Sequence, residues 1–167
     1  MSCKPKETPI RLSLKDTSPL QSRVNDGIGA IEKAHRKLLA ENIRDSFADS
    51  LDLDKAMLKG HEEENRWDYL LGQSEHSKVI GLEPHSAKED QITKVIKKKE
   101  AAREQLKGHL KKGSYVAAWL WVASSKKVHF ANTERTRIRL DQEGIRFVGP
   151  RVELKHLPRA KASNSGG

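Results

Sequence analysis

The chain lacks the features that mark secreted, membrane-spanning and disulfide-stabilised proteins. Its 167 residues include one cysteine, Cys3, so no disulfide can form within the chain. No apolar run approaches the roughly 18 residues that a membrane-spanning helix needs, and the first residues show no signal-peptide pattern. We therefore expect a cytoplasmic protein in a reducing compartment, without a membrane partner.

Motifs of several enzyme classes are missing as well. The sequence contains no Gly-x-x-x-x-Gly-Lys phosphate loop and no His-x-x-x-His pair. Cys3 lies in a polar N-terminal segment, which is a poor setting for a cysteine nucleophile. One zinc alternative stays open, because His76, Glu83 and His85 lie in neighbouring segments.

What the sequence has in excess is positive charge. Its 32 lysines and arginines outnumber 23 aspartates and glutamates, which gives a net charge of +9 and a pI near 9.7. Such a surplus indicates a polyanionic partner, either nucleic acid or an anionic surface. A solvated positive face would give the same composition, but the clustering of the charges favours nucleic acid.

The basic residues that we expect to contact nucleic acid lie on two predicted helices. They are Lys94, Lys97 and Lys98 of a long helix, and Arg135 and Arg139 of the last helix. Helical spacing allows such side chains to line phosphates, a contact that supplies affinity without sequence information.

Changes in composition along the chain predict one domain with polar ends. Residues 1–17 are polar and are expected to form a flexible arm, residues 18–156 a single α/β domain, and residues 157–167 a disordered tail. Apolar residues make up 35% of the chain, a low share that the polar ends explain in part.

Hydrophobic periodicity and turn residues predict an α/β fold with a mixed central sheet flanked by helices. The capping pattern Ser86-Ala87-Lys88-Glu89 opens the clearest helix, and the uncharged run from Tyr115 to Val122 is typical of a buried strand. In chain order the predicted elements are a helix from Ser18 to Phe47, a short helix within 49–60, strands at 66–72 and 78–85, a helix from Ser86 to Gly113, a strand at 115–122, a helix from Asn132 or Thr133 to Glu143 and a strand at 145–148.

Two acidic residues lie on the predicted hairpin. Asp68 is near the start of its first strand and Glu83 near the end of its second, and antiparallel pairing brings those two ends together. Two carboxylates in a basic protein suggest a divalent-cation site that faces a polyanion, and Mg²⁺ or Mn²⁺ suits such oxygen ligands. The carbonyl of Pro84 and an acid of the first helix, Glu41 or Asp45, are expected to complete the metal shell.

On these residues the chain resembles the PD-(D/E)xK nuclease superfamily, which has the restriction-endonuclease-like fold. The match consists of Asp68 and the Glu83-Pro84-His85 triplet, together with the order of elements over roughly residues 25–148. The resemblance implies a restriction-endonuclease-like core and a Mg²⁺-dependent endonuclease that hydrolyses phosphodiester bonds, with DNA as the expected substrate.

The chain departs from the family pattern at two positions. Trp67 stands where the family often has proline, and His85 stands where the catalytic lysine is expected. Three outcomes follow: His85 acts as the general acid or base, Lys94 reaches back from the next helix, or the site is inactive and the fold only binds. Asp68 has an ordinary alternative too, as a strand-edge or turn acid paired with Arg66 or with a lysine.

The sequence thus predicts a nucleic-acid-binding domain that acts as a metal-dependent nuclease. The expected catalytic residues are Asp68, Glu83, His85 and Lys94, and the expected metal ligands are Asp68, Glu83 and Glu41. The alternatives are an inactive nucleic-acid-binding module and a protein-interaction module of a larger DNA-processing or defence system. In the last case the acidic stretch from Asp45 to Asp54, with Glu62 to Glu64, would form the contact. A homodimer also suits a short domain of this kind.

Overall fold

Six strands form one mixed sheet in the computed structural model, which describes residues 6–125 and 134–159. Their order across the sheet is their order along the chain. The strands are β1 Asn25–Asp26, β2 Phe47–Asp52, β3 Tyr69–Gln73, β4 Lys78–His85, β5 Val116–Ala123 and β6 Ile145–Gly149. The first four pair antiparallel, whereas β4, β5 and β6 pair parallel.

Helices flank this sheet on both faces, which confirms the predicted α/β fold class. They are α1 Pro9–Ser13, α2 Lys33–Arg36, α3 Glu41–Arg44, α4 Leu53–Met57, α5 Ile92–Leu106 and α6 Glu134–Gln142, with 3₁₀ turns at Pro19–Arg23, Glu89–Gln91 and Leu154–His156. Over the ranges that the structure describes, no helix is both long and apolar enough to cross a membrane.

The sheet separates two hydrophobic clusters. One contains Leu70, Val79 and Trp121 and packs against α1, α5 and α6. The other contains Leu71 and Ile80 and packs against α3 and the segments on either side of it. Because neighbouring residues of a strand point to opposite faces, the alternation along β3 and β4 decides which side chains meet α5.

Helix α5 connects the parallel strands β4 and β5, as the sequence predicted. Its buried side chains recur at three- and four-residue spacing and are Ile92, Val95, Ile96, Lys99, Ala102 and Leu106. The helix begins later than the predicted start at Ser86, because residues 86–88 have no regular structure and Glu89–Gln91 form a 3₁₀ turn before Ile92. It ends before the predicted Gly113, and Leu110 then bridges to Leu14.

The long helix predicted from residue 18 to residue 47 is wrong. Ser18 does cap a helical turn, but that turn is a 3₁₀ helix of five residues that ends at Arg23. Gly27 then adopts a positive φ of 55°, which a right-handed helix excludes. Ile31, whose spacing contributed to the helical pattern, lies in a loop that packs into the second cluster.

The short helix predicted within 49–60 is partly a strand, since β2 occupies its first residues. The strand was missed because its buried residue Asp49 is an acid. Asp49 Oδ2 accepts hydrogen bonds from the Ile10 amide at 2.9 Å and the Arg11 amide at 3.2 Å, and so it fixes the start of α1. A polar side chain with this structural role hides the alternating pattern of the strand.

Both ends of the domain extend beyond the predicted boundaries. The described part of the expected N-terminal arm contains Ile10 and Leu14, which are fully buried in the first cluster. Leu157, assigned to the expected tail, is buried in the second cluster. The predicted start of the last helix at 132–133 and most of the expected tail, 160–167, lie outside the described residues.

Candidate functional site

Asp68 and Glu83 lie opposite each other on the β3–β4 hairpin. Tyr69 pairs with Leu82 in antiparallel register, so Asp68 on one side of that pair faces Glu83 on the other. Residues that are directly opposite in antiparallel strands point to the same face of the sheet. The Asp68 amide also donates a hydrogen bond of 3.0 Å to Glu83 Oε1, which joins the start of β3 to the end of β4.

Lys98 of α5 completes a cluster with these two acids, which we call the carboxylate–lysine cluster. Its ammonium group contacts Glu83 Oε2 directly and lies 3.4 Å from Asp68 Oδ1. The side chain of Glu83 is fully buried, whereas those of Lys98 and Asp68 are 12% and 25% exposed. The cluster therefore opens to solvent on the side of Asp68.

Tryptophan rings pack on the same face of the sheet beside Gly81, two residues before Glu83. A Cβ at Gly81 would lie 2.7 Å from Trp119 Cε3 and 3.0 Å from Trp67 Nε1, so only glycine fits there. The two indoles pack edge to face with ring centroids 5.0 Å apart. Trp67 and Trp119 are thus core residues, and they make the surroundings of the buried carboxylate apolar.

The protonation of the cluster follows from its burial and its unequal charges. Burial, and after it the charge of Glu83, raises the pKa of Asp68 to about 7 against the opposing effect of Lys98. Burial alone would lower the pKa of Lys98, but the charges of Glu83 and Asp68 outweigh it and the net direction is upward. Lys98 therefore stays protonated at neutral pH while Asp68 titrates, a behaviour common among functional side chains.

His85, which stands where the resemblance places a lysine, lies at the edge of the cluster. Its Nδ1 is 3.4 Å from Glu83 Oε2, and its Nε2 is 2.8 Å from Gln91 Oε1. Because an amide oxygen only accepts, Nε2 carries the proton and donates it to Gln91. The carbonyl of His85 accepts a hydrogen bond from Trp121 Nε1 at 3.1 Å. Side chain and backbone together hold His85 beside Glu83.

Arg66 does not pair with Asp68; of the two partners that the sequence left open for an ordinary Asp68, it is a lysine, Lys98, that lies beside it. Its Nε donates instead to Asp54 Oδ1 at 2.8 Å, and its Nη1 donates to the His61 carbonyl at 2.7 Å. The backbone amide of Asp54 in turn donates to the Asp68 carbonyl at 3.3 Å. Helix α4 therefore fixes the main chain of Asp68 and brings a third acid near the cluster.

The structure does not bring Glu41 or Asp45, the predicted third metal ligands, to the cluster. Glu41 begins α3, is exposed and lines a shallow depression with Arg151 and Glu153. Helix α3 packs into the second hydrophobic cluster, so it lies across the sheet from α5. The spacing of a long helix, which suggested these two residues, does not exist in the fold.

The donor set of the carboxylate–lysine cluster suits a hard divalent cation. Asp68 and Glu83 offer carboxylate oxygens, and Mg²⁺ commonly binds one or two carboxylates together with water and substrate oxygens. Two carboxylates face a single ammonium group, so the cluster keeps a net negative charge once Asp68 is ionised. Across residues 6–125 and 134–159, no three or more His, Cys, Asp or Glu side chains group as a metal site. Water or substrate would have to supply the remaining ligands.

The zinc alternative from the hairpin is wrong. His76 lies in the turn before β4, 3.9 Å from Glu75, whereas His85 ends that strand. Nine residues of extended chain span about 30 Å. The two histidines therefore cannot share one metal ion.

The basic residues predicted to contact nucleic acid have different surroundings. The exposed members are Lys94, Lys97 and Arg135. Arg139 is also exposed and donates from Nη2 to Thr93 Oγ1 at 2.8 Å, which links α6 to α5. Lys98 points into the cluster. Lys94, expected as the helix lysine of the site, has no contact with either carboxylate in the part of the chain that the structure describes, and Lys98, one turn later, has both.

Lys98 is the member of the cluster that the sequence reasoning missed, since it was expected only to contact nucleic acid. It lies three residues after Val95 and four before Ala102, both buried, so helical spacing places it beside the apolar stripe. This position beside the apolar stripe of the crossover helix was the signal from which a partly buried Lys98 could have been predicted.

The acidic stretch from Asp45 to Asp54 does not form one exposed surface. Asp49 is buried, and Asp52 caps α4 by accepting a hydrogen bond of 2.9 Å from the Lys55 amide. Asp54 is held by Arg66. These acids fix local structure, whereas Glu62, Glu63 and Glu64, the other part of the predicted contact, are exposed.

No protein-family model, curated protein or solved structure significantly matches this chain. Its function must be inferred from the clustered side chains and the surfaces around them.

Proposed function

We propose that this protein is a metal-dependent nuclease that hydrolyses phosphodiester bonds, with DNA as the expected substrate. The observation that carries the proposal is the meeting of Asp68, Glu83 and Lys98 at one end of the β3–β4 hairpin. Two acids and a lysine are the charges that the PD-(D/E)xK resemblance implies. The order of hairpin, crossover helix α5 and parallel strand β5 supports the same assignment.

In this proposal each side chain has a distinct task. Asp68 and Glu83 hold the cation, and Mg²⁺ or Mn²⁺ when bound polarises the phosphate and lowers the pKa of a water molecule. Lys98 orients both carboxylates and offers a protonated donor where negative charge develops. It takes the role of the lysine that the family carries at the position of His85. His85, fixed by Gln91, places Nδ1 3.4 Å from Glu83 Oε2, where it donates to that carboxylate when the ring is protonated.

The surroundings of the cluster support a nucleic-acid partner. Lys94 and Lys97 are exposed on the helix that carries Lys98, and Arg135 is exposed on the helix linked to it. Side chains of this kind bind phosphates with an affinity that falls as the salt concentration rises. A cytoplasmic location and a role as a homodimer or within a larger complex belong to the proposal as well.

An inactive nucleic-acid-binding module is the second candidate. Lys98 pairs with both carboxylates, and the same contacts are expected of an ion-pair cluster that only stabilises the fold. The described residues also offer two carboxylates rather than a complete metal shell. This candidate predicts binding without metal-dependent cleavage.

Cleavage assays on labelled single- and double-stranded DNA and RNA, with Mg²⁺, Mn²⁺ or EDTA, distinguish the two candidates. Asp68→Asn and Glu83→Gln should lower the cleavage rate by about 100-fold or more while binding in EDTA persists. Glu75→Gln, an exposed acid of the hairpin turn, is the matched control and should cleave like wild type.

Two results would decide against the nuclease. The first is wild-type protein that binds nucleic acid but cleaves none of these substrates with either metal. The second is cleavage that survives in both Asp68→Asn and Glu83→Gln, since it would have to come from another site or a contaminant.

A further inference from the structure

We propose that a groove between the end of α5 and the start of β5 binds a single-stranded segment of nucleic acid, with one base stacked on Tyr115. The inference depends on the proposed function for the class of ligand. The groove has a volume of about 520 Å³. Its lining includes Arg103, Lys107, Lys111 and Lys112 around Tyr115, above Trp119.

The charge of the groove suits a phosphate chain. Four basic side chains reach its rim and no acidic side chain lines it. Lys107 and Lys111 pair with acids that lie outside the lining. Arg103 and Lys112 form no ion pair with any residue of the two described ranges. Their charges are therefore available to phosphate oxygens, which bind such side chains without regard to sequence.

Tyr115 gives the groove a surface on which a base can stack. It is 66% exposed, more than any other large hydrophobic side chain that the structure describes. Its position immediately before β5 holds its main chain beside the sheet while the ring faces solvent. Exposed aromatic rings within a positive groove are the means by which proteins hold single strands, because every base has a flat face to stack. Bases of an intact duplex are stacked on one another, so the groove favours a single strand.

Helix α5 connects the groove to the carboxylate–lysine cluster. Lys98 belongs to the cluster, and the next residue, Lys99, lines the inner end of the groove with its ammonium 5.9 Å from the centre of a Trp119 ring. Glu83 lies opposite Trp121 in the parallel register, and Tyr115 precedes Trp121 by six residues, which is about 20 Å of extended strand. At about 3.4 Å per nucleotide this distance corresponds to roughly six nucleotides. A strand held at the cluster can therefore extend into the groove once it exceeds that length.

The test is the affinity of wild-type protein and variants for fluorescently labelled oligonucleotides of about 3 to about 15 nucleotides, measured by anisotropy in EDTA. DNA and RNA single strands form separate arms, with a duplex as the third. Tyr115→Ala should weaken binding of the longer single strands by about 5- to 100-fold, the range expected for one stacked base. Tyr115→Phe should bind like wild type, and so should Leu154→Ala, a control at another exposed side chain.

The same titrations at several salt concentrations test the basic rim. Arg103→Met and Lys112→Met should each reduce the slope of log affinity against log salt by about 0.7, the value for one phosphate contact on a single strand. The shortest oligonucleotides cannot span the cluster and the groove at once, so they should bind wild type more weakly than the longer strands do.

The groove proposal is overturned if Tyr115→Ala binds long single strands as tightly as wild type does. It is also overturned if Tyr115→Ala loses as much affinity for the duplex as for single strands. The two proposals fail in different ways. If oligonucleotides bind through Tyr115 but wild type cleaves none of them, the nuclease proposal is refuted and the groove proposal stands. If wild type cleaves but single-strand binding does not depend on Tyr115, the groove proposal is refuted and the nuclease proposal stands.

Discussion

Asp68→Asn should make the protein more stable at pH values above about 7 while it removes cleavage. Burial, and after it the charge of Glu83, raises the pKa of Asp68 from 3.8 to about 7. The folded state then holds this proton more tightly than the unfolded chain does. Raising the pH through the range from about 4 to about 7 therefore favours unfolding of the wild type. An asparagine variant has no such proton and no such loss.

The size of the effect follows from the two pKa values. A rise from 3.8 to about 7 corresponds to roughly 4 kcal/mol of lost stability above pH 7. This figure is an upper bound, because the side chain is 25% exposed and solvent screens part of the charge. The free energy of unfolding of the variant minus that of wild type should therefore rise by about 2–3 kcal/mol from about pH 5 to about pH 8.

Urea unfolding of both proteins at these two pH values, in EDTA, measures the difference. Asp26→Asn is a suitable control, because hydrogen bonds from Arg11 and then Lys6 lower the pKa of Asp26. A lowered pKa supports stability above the unfolded value and loses it only as the pH falls through the folded one. That titration is complete below pH 5, so Asp26→Asn should differ from wild type by the same amount at both pH values.

The sign of the pH dependence separates a functional acid from a stabilising ion pair. If Asp68 mainly served to pair with Lys98, its removal would cost more stability as the pH rises. If the stability of Asp68→Asn relative to wild type falls between these two pH values, or stays constant, the raised pKa of Asp68 is refuted. The proposed exchange of stability for function at this residue would then have no support.

Two further substitutions test how the cluster and the N-terminal segment are held. Lys98→Met should lower the free energy of unfolding by about 3–5 kcal/mol, since it leaves a buried carboxylate without its counter-charge; Lys97→Met, exposed on the same helix, should stay close to wild type in the same urea titration. Gly72→Ala should cost about 1–3 kcal/mol, because its Cβ would overlap the carboxylate of Asp49. Gly108→Ala, which meets open space, should be neutral or slightly stabilising by thermal unfolding, and equal losses in both glycine variants would contradict this packing.

The middle of the chain was predictable because its signals are local. The turn between β3 and β4, the apolar stripe of α5 and the uncharged run of β5 each identify one element without help from distant residues. The antiparallel register of the hairpin then follows from the turn, and with it the approach of Asp68 to Glu83. These elements could therefore be predicted without knowledge of tertiary contacts.

The first 60 residues were not predictable in the same way, because distant contacts decide their structure. Single-turn helices such as α2 and α3 are too short to be stable alone, and they form where Leu39 and Ile43 can pack on the sheet. β2 depends on Asp49, whose buried carboxylate binds backbone amides about 40 residues earlier in the chain. Neither the helical periodicity nor the charge pattern carries this information.

The basic group of the site was sought at two positions, His85 as the third residue of the Glu83 triplet and Lys94 of the next helix. What matters to a carboxylate pair is where the ammonium group lies in space, and α5 crosses the hairpin so that Lys98 reaches both acids. In the proposed nuclease the helix therefore supplies the charge that the strand lost, and Lys98→Met combined with an introduced His85→Lys should recover cleavage if the location of the ammonium group is what counts.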